Sequence, residues 1–168
     1  WSESYERRLT EIFDIQRDLA LRIAAALEAE LTPGERARLA ARPTQDLDAY
    51  ASYLKGRHFW NQRTPAGYER AVEHFQRAIA ADPEFAAAHA GLAAVHSLQG
   101  MAGAVEAQSA RGLARTAALR AVDLDAGNAE ARSVLGLYLH AYEWNVAAAE
   151  REFLQSIALD PNSALARV

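Results

Sequence analysis

The chain has 168 residues, 51% of them hydrophobic, with 0 cysteines and a formal net charge of -4. That length and apolar share fit one folded domain with a continuous core. The lack of cysteine excludes a disulfide framework and any thiolate metal site. The acidic balance argues against nucleic-acid binding by these residues. No apolar run approaches the roughly 20 residues of a membrane span.

Trp1 stands in place of an initiator methionine and no signal-peptide pattern follows it, so the chain reads as a piece of a longer protein. Ile12, Ile15, Leu19, Ile23, Leu27 and Leu31 recur at helical spacing and predict one long amphipathic helix. Thr32-Pro33-Gly34 ends it, Glu35–Ala41 starts a shorter helix, and Arg42-Pro43-Thr44 is a linker. Thr44 or Asp46 is placed to cap the next helix. Arg36, Arg38 and Arg42 read as a solvated basic face.

From Leu47 onward the sequence repeats. Ala78-Ile79-Ala80-Ala81-Asp82-Pro83, Ala121-Val122-Asp123-Leu124-Asp125-Ala126 and Ser156-Ile157-Ala158-Leu159-Asp160-Pro161 each close an apolar helical stretch. Two of them end in proline, which stops a helix at the residue before it. Ala71-x-x-x-Phe75 and Ala149-x-x-x-Phe153 precede two of these closures at the same offset. Upstream, Gly56, Ala93 and Gly136 take equivalent places where two helices must touch closely.

This pattern resembles the tetratricopeptide repeat, in which each repeat is a helix A, a turn and a helix B. The resemblance implies an all-α, right-handed α-α superhelix of helical hairpins. The helices are expected at Leu47–Asn61 and Gly67–Ala81, Phe85–Gln99 and Val105–Leu124, and Ala129–Tyr142 and Asn145–Leu159. A fourth helix A begins at Ala164. In domain terms, residues 1–44 hold the end of an upstream domain, the long helix and the linker. Residues 45–168 hold repeats at about 45–84, 85–127 and 128–162 and the start of a fourth. The pattern's tryptophan position is Ser52, His89 and Arg132 here, and the second repeat has Ala118 and Ala126 in place of the phenylalanine and proline. A longer second helix B containing Gly112 is therefore expected, with Met101 or Val105 filling the missing ring's space. The long amino-terminal helix is expected to cap the first repeat, since an open solenoid end exposes apolar surface.

A wider resemblance covers nearly the whole chain. Trp1-Ser2-Glu3-Ser4-Tyr5-Glu6-Arg7, Ile12-Phe13-Asp14-Ile15-Gln16 and Leu31-Thr32-Pro33-Gly34-Glu35-Arg36 are similar to the segment joining a TolB-like domain to tetratricopeptide repeats in bacterial signalling proteins. Tyr53-Leu54-Lys55-Gly56-Arg57-His58-Phe59-Trp60-Asn61 and Tyr142-Glu143-Trp144 are similar to the repeats of that family. The resemblance implies an output domain elsewhere, of adenylate cyclase, protein kinase or winged-helix regulator type. It also implies a cytoplasmic location, or an extracytoplasmic one if a membrane helix lies upstream.

Candidate chemistry is sparse. His89 and His96 share a helix face, but a zinc pair needs closer spacing and a third ligand. His58, His74 and His140 are scattered. Glu28 with Glu35, and Glu150 with Glu152, read as solvated faces rather than acid/base pairs. Gly100-Met101-Ala102-Gly103 lacks the lysine and hydroxyl of a phosphate loop. Ser97, Ser109 and Ser133 lack a nucleophile-elbow context. No catalytic residue and no cofactor are assigned. Tyr50, Tyr53, Phe59 and Trp60 are expected to pack the first helix pair against the amino-terminal helix, and Phe75 and Phe153 to be core.

The expected function is a non-catalytic interaction or assembly scaffold for a protein or peptide. The alternatives are a passive spacer between sensor and output domains, or an enzyme fragment with an unrecognised hydrolytic site. The register points Tyr53, Arg57 and Asn61 into a concave groove, followed by Ala90, Ala94 and Ser97, then by Ser133, Leu137 and His140. The middle of that groove is floored by small side chains, as close approach of a helix or extended peptide requires. Tyr53 and Arg57 supply residue types enriched in hot spots. Ala87, Ala90, Gly91 and Ala94 on the second A helix cannot form the basic clamp that holds the acidic carboxyl terminus of heat-shock chaperones. Uncapped ends imply weak self-association.

Overall fold

The computed structural model describes residue 15 and residues 17–25, 43–103 and 106–161. The chain divides into two compact units, Trp1–Leu47 and Asp48–Val168. In the first, residues 17–25 are helical. Ile15, Leu19 and Ile23, three members of the predicted stripe, are each more than half exposed. The rest of the expected long helix and the shorter Glu35–Ala41 helix lie outside the described residues.

Among the described residues helix is the only regular secondary structure of the second unit. Its elements are α1 (Leu47–Asn61), α2 (Pro65–Ala81), α3 (Ala86–Met101), α4 (Ala107–Leu124), α5 (Ala129–Glu143) and α6 (Val146–Leu159). They form three A/B hairpins, with α3 packed on α2, α4 and α5. The expected helix ends hold to within two residues, because the sequence marks them chemically. Pro65 opens α2, where its missing N–H costs nothing. The Thr64 hydroxyl accepts the Gly67 N–H at 3.0 Å. Asn128 and Asn145 cap α5 and α6 in the same way, accepting the N–H groups of Ala131 and Ala148. Asp82 and Asp160 leave the helical region just before their prolines.

Glycine sets the hairpin spacing. The Phe75 ring is fully buried between two helices that approach it closely at Gly56 and Gly91. A methyl at either position would fall 2.7 or 2.6 Å from ring carbons, well inside contact distance. Gly136 gives Phe153 the same clearance, 2.8 Å from a hypothetical methyl. Phe153 is nevertheless only partly buried, not core as expected. Among the described residues it has no counterpart of Gly91 on its second face.

The second repeat solves its missing phenylalanine differently from expectation. Met101 is 59% exposed and fills nothing; Val105 lies outside the described residues. Small Ala114, Ala117 and Ala118 let Tyr138 and Tyr142 of α5 into the same core cluster. The Tyr142 hydroxyl donates to the Ser97 carbonyl at 3.0 Å, and Gly100 leaves room for it. As expected, α4 is the longest of the six helices, at 18 residues with Gly112 inside.

Among the described residues each A-to-B connection contains one left-handed residue: Arg63 at φ 54°, Gly103 at φ 69° and Trp144 at φ 54°. This is the usual way to end a helix and turn the chain back. Only the second turn uses the residue that adopts it without steric cost.

Candidate interaction surface

The nine expected groove residues fall into two groups. Ala90, Ala94, Ser97 and Ser133 are buried and offer no surface to a partner. The reason is the composition of α3. Its alanines and Gly91 are so small that neighbouring helices close around it, and ten of its residues are buried. Ser133 spends its hydroxyl internally, 2.6 Å from that of Ser156, and Ser156 in turn donates to the Ala129 carbonyl. Ser97 Oγ is buried without a hydrogen-bond partner.

The other five reach the surface in part or fully. Asn61 and His140 are exposed, and Leu137, Tyr53 and Arg57 are half-buried. Tyr53 packs its ring on Phe75 and Phe85, at centroid distances of 5.9 and 5.0 Å. Its hydroxyl accepts from Arg57 Nη1 at 2.9 Å. Burial, with the nearby Glu130 charge, pushes the Tyr53 phenol up to about 12. Arg57 also donates to both Glu130 oxygens, at 3.0 and 2.8 Å. Glu130 opens α5, 73 residues away in sequence. The pair therefore ties the first A helix to the third across the second. Burial raises the Glu130 pKa against the opposing pull of Arg57. Sequence reasoning missed this partner, because no local spacing links two residues so far apart.

The aromatic side chains of α1 make several contacts within the repeats. Tyr50 stacks on Tyr53. Phe59 lies flat on His74, with centroids 5.3 Å apart and planes 5° apart, and carries the Arg70 guanidinium at 5.3 Å. The buried Trp60 ring carries two guanidiniums, of Arg57 at 5.1 Å and Arg63 at 5.2 Å. Among the described residues no group of three or more His, Asp or Glu side chains is set to hold a metal, and no helix is long and apolar enough to cross a membrane.

Comparison with known proteins agrees with this architecture. No family model matches the chain. A protein assigned as adenylate cyclase 3 of Rhizobium meliloti (strain 1021) is 34% identical over 95 residues, covering 56% of this chain and 16% of that protein. The transcriptional regulator HilA of Salmonella typhimurium is 30% identical over 91 residues, covering 54% of this chain and 16% of HilA. Among solved structures, the first TPR of Spaghetti (RPAP3) bound to the HSP90 peptide SRMEEVD aligns with TM-score 0.56 at 19% identity, over 73% of this chain and 86% of that one. The first TPR domain of human RPAP3 aligns with TM-score 0.57 at 19% identity, over 71% and 84%. The chain spans 16% of the length of the curated relatives it matches, and its fold is that of the tetratricopeptide repeat.

Proposed function

We propose that the chain is a non-catalytic protein-interaction module within a larger bacterial signalling or regulatory protein. The observation that carries this is the stack of three hairpins, which aligns with a repeat module holding a peptide. The relatives, a cyclase and a transcriptional regulator, support the signalling context. A preceding TolB-like domain belongs to the same proposal. That peptide's own binding mode is not carried over, because α3 presents alanine and glycine where a clamp needs long polar side chains.

The partner is a protein or peptide segment meeting the exposed remainder of the concave face, Asn61, Leu137 and His140, beside Tyr53 and Arg57. The test is Tyr53→Ala with Arg57→Ala in the full-length protein, scored by co-purifying partners and by melting temperature. Loss of partners with stability retained supports the groove. Loss of stability with partners retained assigns both side chains to packing and ends the role proposed for them.

A second reading is favoured by one observation, the Arg57–Glu130 tie across the A helices. A solenoid braced in this way acts as a stiff spacer, passing movement between flanking domains. Output activity that survives replacement of the repeats by an unrelated helical rod of equal length would favour the spacer.

A further inference from the structure

The turn end of the first hairpin carries two arginines, with Glu69 beside the second. Arg63 and Arg70 are exposed, and each guanidinium lies over an aromatic ring, Arg63 on Trp60 and Arg70 on Phe59. Neither has a carboxylate partner among the described residues. Nearby acids do not supply one: Glu130 holds Arg57, and Glu73 holds Arg77. Three buried side-chain polar atoms among the described residues lack a hydrogen-bond partner, and two of them are here: Trp60 Nε1 and His74 Nδ1. An indole N–H can only donate, and a guanidinium has five N–H donors and no acceptor.

A guanidinium drawn to a ring face by cation–π attraction keeps its five N–H donors, and without a carboxylate partner they are open to two parallel bonds to one. The backbone adds a separate observation. Arg63 sits at φ 54°, where a side chain is disfavoured and glycine is not. The equivalent connections use Gly103 in the second repeat and Trp144 in the third. The left-handed backbone accepts glycine, so Arg63→Gly removes the side chain without straining the fold.

We propose that Arg63 and Arg70, seated on Trp60 and Phe59, form a carboxylate-binding site for an acidic segment of a partner protein. The site lies at the A-to-B turn of the first hairpin, and its Trp60 ring also carries Arg57 of the groove. It rests on the interaction-module reading and names the chemistry of one partner segment. A short acidic polypeptide fits better than a nucleic acid, because two arginines supply too few cations for the many phosphate contacts on which nucleic-acid affinity rests.

The test uses this chain with an acetylated, amidated tetraglutamate peptide, its tetraglutamine counterpart, inorganic phosphate and a short single-stranded DNA. The readout is the arginine Nε–Hε resonances. Tetraglutamate should shift the Arg63 and Arg70 signals saturably, and tetraglutamine should not. Arg63→Ala or Arg70→Ala should weaken binding at least about tenfold, while Arg77→Ala leaves it unchanged. Arg63→Lys should also weaken it, because a lysine keeps the charge but not the planar fork. Arg63→Gly should lose binding while melting no lower than the parent chain, which separates the ligand role from a folding role. Equal response to both peptides, shifts confined to other arginines, or full binding by the double alanine variant overturns the site. Stronger response to phosphate or DNA than to tetraglutamate also overturns it, in favour of a general anion site or a nucleic-acid site respectively. In the full-length protein, partners that persist in the Arg63/Arg70 double variant refute this site alone. A full-length protein that captures no partner in any form refutes the module reading.

Discussion

Two side-chain types carry most of the local physics, a phenylalanine squeezed between glycines and a bulky residue in a glycine conformation. Phe75 is closed on both faces, so Phe75→Ala leaves a cavity that the helices cannot collapse into, costing about 3–5 kcal/mol. Phe153 has the same glycine on one face and is partly exposed, so Phe153→Ala should cost clearly less. Chemical denaturation of the two variants checks this; equal losses would mean the two rings are equally enclosed in solution. Trp144 is the opposite case. Its side chain is 83% exposed, so little packing is lost on removing it, while its backbone is left-handed. Trp144→Gly releases about 1–2 kcal/mol of steric cost against about 0.5–1 kcal/mol of added chain entropy. The net should be a stabilisation of about 0.5–1 kcal/mol, seen as a melting point higher by about 1–4 °C. A lower melting point would show that the indole makes contacts that stabilise the fold.

Among the elements, α3 decides what the molecule can present. It has no polar side broad enough to mark a solvent face, and ten of its residues are buried. That is why the helix was legible in the sequence and its exposed face was not. The proline, aspartate and phenylalanine offsets fixed where helices begin and end. Period alone cannot say which alanine of a helix apolar on nearly every side meets water. The Arg57–Glu130 tie and the two stacked arginines were illegible for another reason, since each depends on tertiary approach. The tie is testable as a double-mutant cycle with Arg57→Met and Glu130→Gln. Its side chains keep 35% and 24% exposure, so solvent screening limits the coupling to about 1–2 kcal/mol. Additive losses would make the contact incidental. α3 also carries an acid-sensitive group. His96 is buried, donates from Nδ1 to Gln99 Oε1 at 3.2 Å, and has its pKa lowered by burial. The unfolded chain therefore binds more protons below its ordinary value of about 6.5. Stability from neutral His96 is full above that pH and is lost as pH falls through the lowered folded value. His89 shifts the same way, also through burial, so the informative comparison is His96→Gln against the parent chain. The variant should lose less melting temperature between pH 7 and pH 5; an identical loss would show that His96 contributes nothing to acid sensitivity.

At the scale of the whole chain, a repeat protein is stable where each hairpin covers the next. Phe75 shows what covering means here: α3 brings Gly91 against the ring, and its exposure falls to zero. The third hairpin presents the matching surface partly uncovered, with Phe153 half-buried and Leu154 58% exposed. In the amino-terminal unit, the Ile15, Leu19 and Ile23 stripe is exposed as well. Apolar surface of this kind drives association when copies meet. The chain should therefore self-associate weakly, its average mass in sedimentation equilibrium rising with concentration. Leu154→Glu tests the carboxyl-terminal hairpin and Leu19→Glu tests the amino-terminal stripe. Each introduces a charge whose burial in an interface is costly, so the variant at the responsible end should remain monomeric over the same range. If Leu154→Glu alone abolishes association, the third hairpin is the open end and the amino-terminal stripe is free for the capping role its sequence suggests. Removing residues 1–31 should then lower the melting temperature of the repeats. If both variants associate like the parent chain, neither end drives the contact, and the exposed leucines are ordinary surface.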